Sequence, residues 1–269
     1  MAERRGRVAS SLASYRMMRA PIFADPPVIC GHRGLGRGTV GGHPENTLGG
    51  YLAAAEAGLA WVEVDARFTA DDVLVARHDP VVPDGRFISE MTGEEADEAG
   101  LMRVADLLAE LPPDVGVDVD VKSSLEDATR PRERTTGALV AALAAPEAER
   151  RPLLVSSFDP AALLIVRELA PAVPLGLLTW IAFPLRKAIA AAAHLGVQVV
   201  APHVGSFPLG EQHDPPLERP VAESVAVAHQ AGLEVVAWCP RLDEADALAA
   251  AGVDCLVVDD VPAAVARRA

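Results

Sequence analysis

Short runs rich in Val, Ile and Leu alternate along the chain with longer Ala-rich segments. Continuous apolar, β-branched runs suit strands buried on both faces, and the Ala-rich stretches favour helix. Strands are expected at about residues 28–31, 61–66, 115–121, 152–157, 174–179, 197–201, 233–238 and 254–258, and a helix can follow each one. Repeated strand–helix units build a parallel sheet. Eight of them predict a TIM (β/α)8 barrel, whose sites lie where strands end and the following loops begin; an open doubly wound sheet is the alternative. Asp159 before Pro160, Asp243 and Asp260 mark helix starts, and Gly58, Gly196, Gly232 and Gly252 mark helix ends.

One further strand-like run, residues 73–78 (VLVARH), follows the second strand after only FTADD. A parallel return needs a crossover of about a dozen residues, so this run is expected to fold back antiparallel as a hairpin above the barrel mouth. That places His78 level with Glu63 and Asp65. The segment from Pro80 to Gly100 carries turn residues and acids and reads as a small insertion over the site rather than a domain.

Glu63 and Asp65 are two apart on a strand, so both side chains face the barrel interior while Val62, Val64 and Ala66 face the helices. Two buried carboxylates need a positive partner, either an Arg or Lys side chain or a hard divalent cation with oxygen ligands. The third strand repeats the pattern with Asp118, Asp120 and Lys122 on one face. Asp120 is a candidate third metal ligand, Lys122 can meet an anionic substrate oxygen, and Asp118, deeper in the barrel, is expected in an ion pair with lysine. The first strand ends in Cys30-Gly31-His32-Arg33-Gly34, then a glycine-rich loop and Pro44-Glu45-Asn46-Thr47 at a helix start. His32 can exchange a proton near neutral pH, and Arg33 can clamp a phosphate with two parallel donors. The loop is not a Walker loop, because no Gly-Lys-Ser/Thr closes it.

His32-Arg33-Gly34, Pro44-Glu45-Asn46-Thr47, Glu63-x-Asp65, His78-Asp79 and Asp120-x-Lys122, in that order, closely resemble the glycerophosphodiester phosphodiesterase family. Ser157-Phe158, Trp238 and the GVDCLVVDDVP segment extend the resemblance from about residue 28 to the end of the chain. The resemblance implies a TIM barrel that binds one divalent cation, Mg2+ or Ca2+, through Glu63, Asp65 and Asp120. It implies His32 and His78 as the acid and base pair, Arg33 and Lys122 on the phosphoryl oxygens, Glu45 and Trp238 in support, and an alcohol and glycerol 3-phosphate as products. The chain departs from the family pattern at Asp120, where many members carry Glu, in a longer glycine-rich loop from Gly34 to His43, and at Trp238-Cys239-Pro240 in place of Trp-Thr-Val-Asn. Two other functions stand beside hydrolysis: a phospholipase C or D type barrel acting on intact lipid, which needs an exposed apolar rim, and a phosphodiester-binding barrel without chemistry.

Composition narrows the partners. A formal net charge of −14 argues against a nucleic-acid backbone as ligand. No apolar run reaches the roughly 20 residues that span a bilayer. The first 25 residues carry Arg4, Arg5, Arg7, Arg16 and Arg19 without the apolar region of a leader, so residues 1–25 read as a mobile basic segment and 26–269 as a single phosphodiesterase domain in the cytoplasm. Cys30, Cys239 and Cys255 lie in apolar runs and read as buried thiols. His203 follows the sixth strand as a pocket-lining or solvated loop residue, and His43, His194, His213 and His229 read as surface or packing positions.

Overall fold

The computed structural model describes residues 20–210 and 218–268 of the chain. Eight parallel strands carry the fold: β1 (Val28–Gly31), β4 (Trp61–Phe68), β7 (Gly116–Val121), β8 (Leu153–Ser157), β9 (Leu175–Thr179), β10 (Val199–Pro202), β11 (Glu234–Trp238) and β12 (Cys255–Val258). They are hydrogen-bonded in the order β1, β12, β11, β10, β9, β8, β7, β4, and β4 pairs again with β1, which closes the barrel and excludes the open sheet. Each expected strand is present, and the strand ends shift by at most two residues: several begin one or two residues later than the apolar run, and β4 runs on to Phe68 because its last residues pair with the returning hairpin.

Helices alternate with these strands: α1 (Leu48–Glu56), α2 (Gly93–Glu98), α3 (Val104–Glu110), α4 (Thr136–Glu147), α5 (Pro160–Leu169), α6 (Leu185–Leu195), α7 (Val221–Gln230), α8 (Leu242–Ala250) and α9 (Val261–Arg268); all but the short α2, which belongs to the insertion after β4, cover the outside of the barrel. Asp159 caps α5 through the Ala161 amide, and Asp260 accepts from the Ala263 amide at the start of α9. The third expected cap is displaced: α8 begins at Leu242 after Arg241, so Asp243 lies inside the first turn, and Glu244 bonds back to the Arg241 amide. Both acids there face the positive end of the helix dipole.

The two sides of each strand feed different cores. Val62, Val64, Ala66, Val117, Val119 and Val155 pack outward against the helices, while Val28, Cys30, Trp61, Leu154, Val199, Val236, Cys255 and Val257 fill the barrel interior. The large Trp61 ring fits because residue 116 is glycine, where an added Cβ would lie 2.5 Å from the indole.

The run after the second strand turns back as expected: β5 (Leu74–Ala76) pairs antiparallel with β4, Ala66 opposite Ala76, and β6 (Met102–Arg103) extends the same edge. The insertion builds its own small core from Val82, Ile88, Met91 and Ala96 against Val75. It stands beside the barrel mouth, and none of its described residues lines the main pocket, so the expectation of a cover over the site is corrected. The glycine-rich loop forms a hairpin of β2 (Thr39–Val40) and β3 (His43–Pro44), joined by Gly41 and Gly42, both at positive φ as a two-residue turn requires.

The basic lead-in expected over residues 1–25 divides at the described boundary: residues 1–19 lie outside the described residues, and residues 20–25 belong to the barrel. The Ile22 and Phe23 amides donate to the Glu234 carboxylate at 2.8 and 3.0 Å, and the Phe23 ring meets Trp61 with centroids 5.0 Å apart. Glu234 and Trp61 open their strands, so this segment closes the end of the barrel opposite the site loops. Phe23→Ala is expected to cost about 3–5 kcal/mol in a urea titration, because the ring is fully buried in a rigid barrel that cannot collapse around the void.

Candidate active site

The interior periodicity of the strands carries directly into chemistry at their C-terminal ends. On β4 the interior series runs Trp61, Glu63, Asp65; on β7 it runs Gly116, Asp118, Asp120 and then Lys122 just past the strand. The parallel register sets Glu63 beside Asp118 and Asp65 beside Asp120. Carboxylate oxygens of Glu63, Asp65 and Asp120 lie within 4.8 Å of one another, and all three residues are buried.

Both kinds of positive partner considered from the sequence bear on this cluster. Lys122 forms ion pairs with Asp65, at 2.8 Å, and with Asp120. Arg33 bonds Glu45 through Nη1 at 2.7 Å and lies 3.2 Å from Asp65 through Nε, while its amide donates to Glu63 at 2.9 Å. The Asp118 ion pair with lysine does not form; Lys122 reaches the nearer Asp120 and crosses to Asp65, and Asp118 makes no salt bridge among the described residues.

The charges remain out of balance. Among the described residues, Glu45, Glu63, Asp65, Asp118 and Asp120 lie in or beside the pocket with Arg33, Lys122 and Arg67 as permanent cations. Burial, then the charge of Asp65, raises the Glu63 carboxyl well above its ordinary range. Burial likewise raises Asp120, with Asp65 adding to it and Lys122 opposing, and pushes Asp118 up to about 7. For Asp65 the same desolvation is outweighed by Lys122 and Arg33, which hold it below the usual carboxylate range. One buried oxygen each of Asp118 and Asp120 also lacks a hydrogen-bond partner among the described residues. An all-oxygen cluster with surplus negative charge and unpartnered oxygens is of the kind that suits a hard divalent cation, and Glu63, Asp65 and Asp120 are the residues that could hold one.

The supporting groups are built locally. Asn46, at φ 56°, donates to Asp65 at 2.8 Å and accepts from the buried Tyr51 hydroxyl at 2.8 Å. Glu45 bridges Arg33 to the Gly38 amide, so it positions the arginine and the glycine-rich hairpin rather than joining the carboxylate cluster. Arg33 itself sits at φ 55°, a left-handed conformation that tends to mark functional positions when held by its surroundings.

His32 continues the interior series of β1 after Val28 and Cys30. Its Nδ1 lies 2.5 Å from Asp259, and Nε2 faces Glu63 at 3.9 Å. Asp259 was not singled out from the sequence, yet a signal exists: closure pairs Cys30 with Val257 and Gly31 with Val258, so the next residues outward are His32 and Asp259. His78 lines the same pocket, half exposed, with Nδ1 at 2.8 Å from Asp79. Arg67 donates to the His78 carbonyl and fixes the hairpin end; it too was missed.

The pocket has a volume of about 540 Å³, within the range of small-molecule sites. Opposite the carboxylates stands an aromatic wall: Phe158 stacks on Trp180 at 4.3 Å and meets Trp238 edge-on at 5.7 Å. Trp238 is anchored by its indole N–H to the Ala201 carbonyl. His203 lies against Trp238, accepts from the Gly205 amide and packs behind this wall. His229 pairs with Asp254 at the far end of the barrel, and His213 lies outside the described residues. Of the three free thiols, Cys30 and Cys255 are buried in the interior as expected, whereas Cys239 is only partly buried and stands beside His32.

A closed barrel with buried carboxylates, two histidines and cationic donors around one pocket at its C-terminal face defines a TIM-barrel enzyme site suited to an anionic substrate. The glycerophosphoryl diester phosphodiesterase family model matches residues 32–263, spanning all of these groups. The chain belongs to that family, whose members hydrolyse glycerophosphodiesters. No match was found among curated proteins. Among solved structures, a candidate glycerophosphoryl diester phosphodiesterase of Silicibacter pomeroyi superposes with a TM-score of 0.73 at 24% identity, covering 91% of this chain and 94% of the other. The glycerophosphodiester phosphodiesterase of Thermotoga maritima gives 0.69 at 19% identity, over 90% and 98% of the two chains. A phosphodiesterase of Oleispira antarctica, solved with sn-glycerol-3-phosphate, gives 0.67 at 21%, over 89% and 97%. These likenesses support the barrel fold.

Proposed function

We propose that this protein hydrolyses small glycerophosphodiesters to an alcohol and glycerol 3-phosphate, with His32 and His78 moving the protons and one divalent cation, Mg2+ or Ca2+, held by Glu63, Asp65 and Asp120. The observation that carries this reading is that both histidines line one pocket with the carboxylate cluster, each with Nδ1 against a carboxylate of its own, Asp259 or Asp79. That arrangement leaves Nε2 as the proton-transfer atom in each ring. When bound, the cation would supply Lewis-acid polarisation of a phosphoryl oxygen. Arg33 and Lys122 offset the remaining phosphodiester charge, which otherwise repels the attacking oxygen. One histidine removes a proton from the attacking hydroxyl or water; the other protonates the alkoxide as its bond to phosphorus breaks. Glu45 holds Arg33 in place, and Trp238 with Phe158 forms the wall against which the alcohol group packs.

The acidic chain, with its formal charge of −14, supports a small-molecule partner over nucleic acid, and the barrel, with residues 20–25 included, is assigned to one catalytic domain working in the cytoplasm. No helix among the described residues is long and apolar enough to cross a membrane. Trp180 and Ile181, 67% and 66% exposed in the loop after β9, favour a second substrate class in which the alcohol side carries an apolar group.

The direct test is release of glycerol 3-phosphate from glycerophosphocholine and glycerophosphoethanolamine with Mg2+, with Ca2+ and with EDTA. Release that depends on the ion and stops with EDTA is the expected result. A folded protein that releases nothing from either compound with any ion would overturn the assignment of these substrates, and EDTA-resistant release would overturn the metal's role.

A further inference from the structure

Cys239 lies in one of the segments where this chain departs from the family pattern, and the structure gives it two partners. Its Sγ lies 3.6 Å from His32 Nδ1 and 3.5 Å from Asp259 Oδ1, and those two atoms are 2.5 Å apart. The backbone presents the thiol deliberately: Cys239 adopts φ 57°, with its amide held 2.9 Å from the Val257 carbonyl and its neighbour Trp238 fixed on Ala201. Imidazole nitrogen, sulfur and carboxylate oxygen make a mixed donor set, unlike the all-oxygen cluster of Glu63, Asp65 and Asp120.

Such a set selects a borderline-soft ion. A tetrahedral Zn2+ with bonds of about 2.0–2.1 Å to nitrogen and oxygen and about 2.3 Å to sulfur separates its ligand atoms by roughly 3.3–3.6 Å. Both sulfur distances already meet that spacing. Only the histidine–aspartate contact must open, and the Asp259 side chain, 36% exposed, has room to do so and leaves a path for the ion and a water as fourth ligand.

We propose that His32, Cys239 and Asp259 form an inhibitory site for a zinc-type ion, separate from the acidic cluster; the inhibitory part rests on the proton-transfer role assigned to His32. Binding releases the thiol proton to solvent and shifts the imidazole proton from Nδ1 to Nε2. With Nδ1 coordinated, Nε2 can no longer accept a proton, and as a ring N–H it is too weak an acid to protonate a leaving alkoxide. The imidazole ring separates this site, on Nδ1, from Glu63, which lies 3.9 Å from Nε2.

Binding is read with Co2+ as a spectroscopic stand-in for Zn2+, added to the whole protein in excess Mg2+. A sulfur-to-cobalt charge-transfer band in the near ultraviolet is expected for the wild type and for Glu63→Gln, and is expected to vanish in Cys239→Ser, with circular dichroism checking that each variant is folded. Zn2+ should inhibit hydrolysis in excess Mg2+, and Cys239→Ser should weaken that inhibition, relative to its own uninhibited rate, by at least the roughly 10- to 100-fold seen when an outer partner of a metal site is lost. Absence of the band in the wild type overturns the site. Inhibition equal in wild type and Cys239→Ser assigns Zn2+ to the acidic cluster and overturns the inhibitory role. A protein inactive on both glycerophosphodiesters refutes the hydrolytic reading instead, and the cobalt band then tests the site by itself.

Discussion

His32→Ala is expected to lower kcat for glycerophosphocholine by about 10³-fold or more while the fold survives, since a positioned acid or base contributes roughly 10²- to 10⁴-fold. His32 sits at the strand end, where its truncation leaves the barrel interior below Cys30 untouched. Asp259→Asn should be a milder lesion, because the amide still reaches Nδ1 but offers no full charge to a protonated ring. Its expected signature is a lowered kcat with a displaced pH profile and little change in KM. Steady-state kinetics of both variants, beside a urea titration to verify folding, make the check; wild-type rates in His32→Ala would remove the histidine from the mechanism.

Arg151→Ala should be among the most destabilising single changes away from the pocket. Its guanidinium is fully buried and donates to the carbonyls of Leu108, Leu111, Pro112 and Val115 at 2.6, 3.3, 3.3 and 3.4 Å, and to Glu147 at 3.1 Å. Those carbonyls end α3 and lead into β7, where no helical partner remains for them. Removing the cation leaves the carbonyls without their buried donor and Glu147 with only its pair to the half-exposed Arg150, so about 3–5 kcal/mol is the expected loss of stability. Arg132→Ala is the comparison, since its pair with Glu168 lies in solvent and its removal should leave the urea midpoint unchanged. Equal midpoints for the two variants would refute the argument.

The barrel was legible because parallel strands are buried on both faces, so each appears as an apolar run that turn residues punctuate. The β5 hairpin was legible for a different reason: FTADD is too short for a crossover, so chain length alone fixed its direction. The carboxylate pairs on β4 and β7 followed from two-residue periodicity. What stayed hidden depends on contacts remote in sequence. Asp259 meets His32 only because closure brings the last strand to the first. Lys122 faced three acids of similar spacing, and its choice of Asp65 and Asp120 over Asp118 is set by side-chain reach across the register. Phe23 lay in a segment that reads as a mobile basic lead-in, where a single aromatic carries no periodicity. Cys239 looked like a core thiol because it follows directly on an apolar strand, whereas a left-handed turn at φ 57° just past Trp238 brings it beside His32.

The chain has three tryptophans, and the fold distributes them unevenly. Trp61 is sealed at one end of the barrel, while Trp180 and Trp238 flank Phe158 in the pocket wall. Intrinsic fluorescence is therefore weighted toward the pocket, and the solvent-facing indole of Trp180 gives the protein an unlabelled optical reporter of whatever enters.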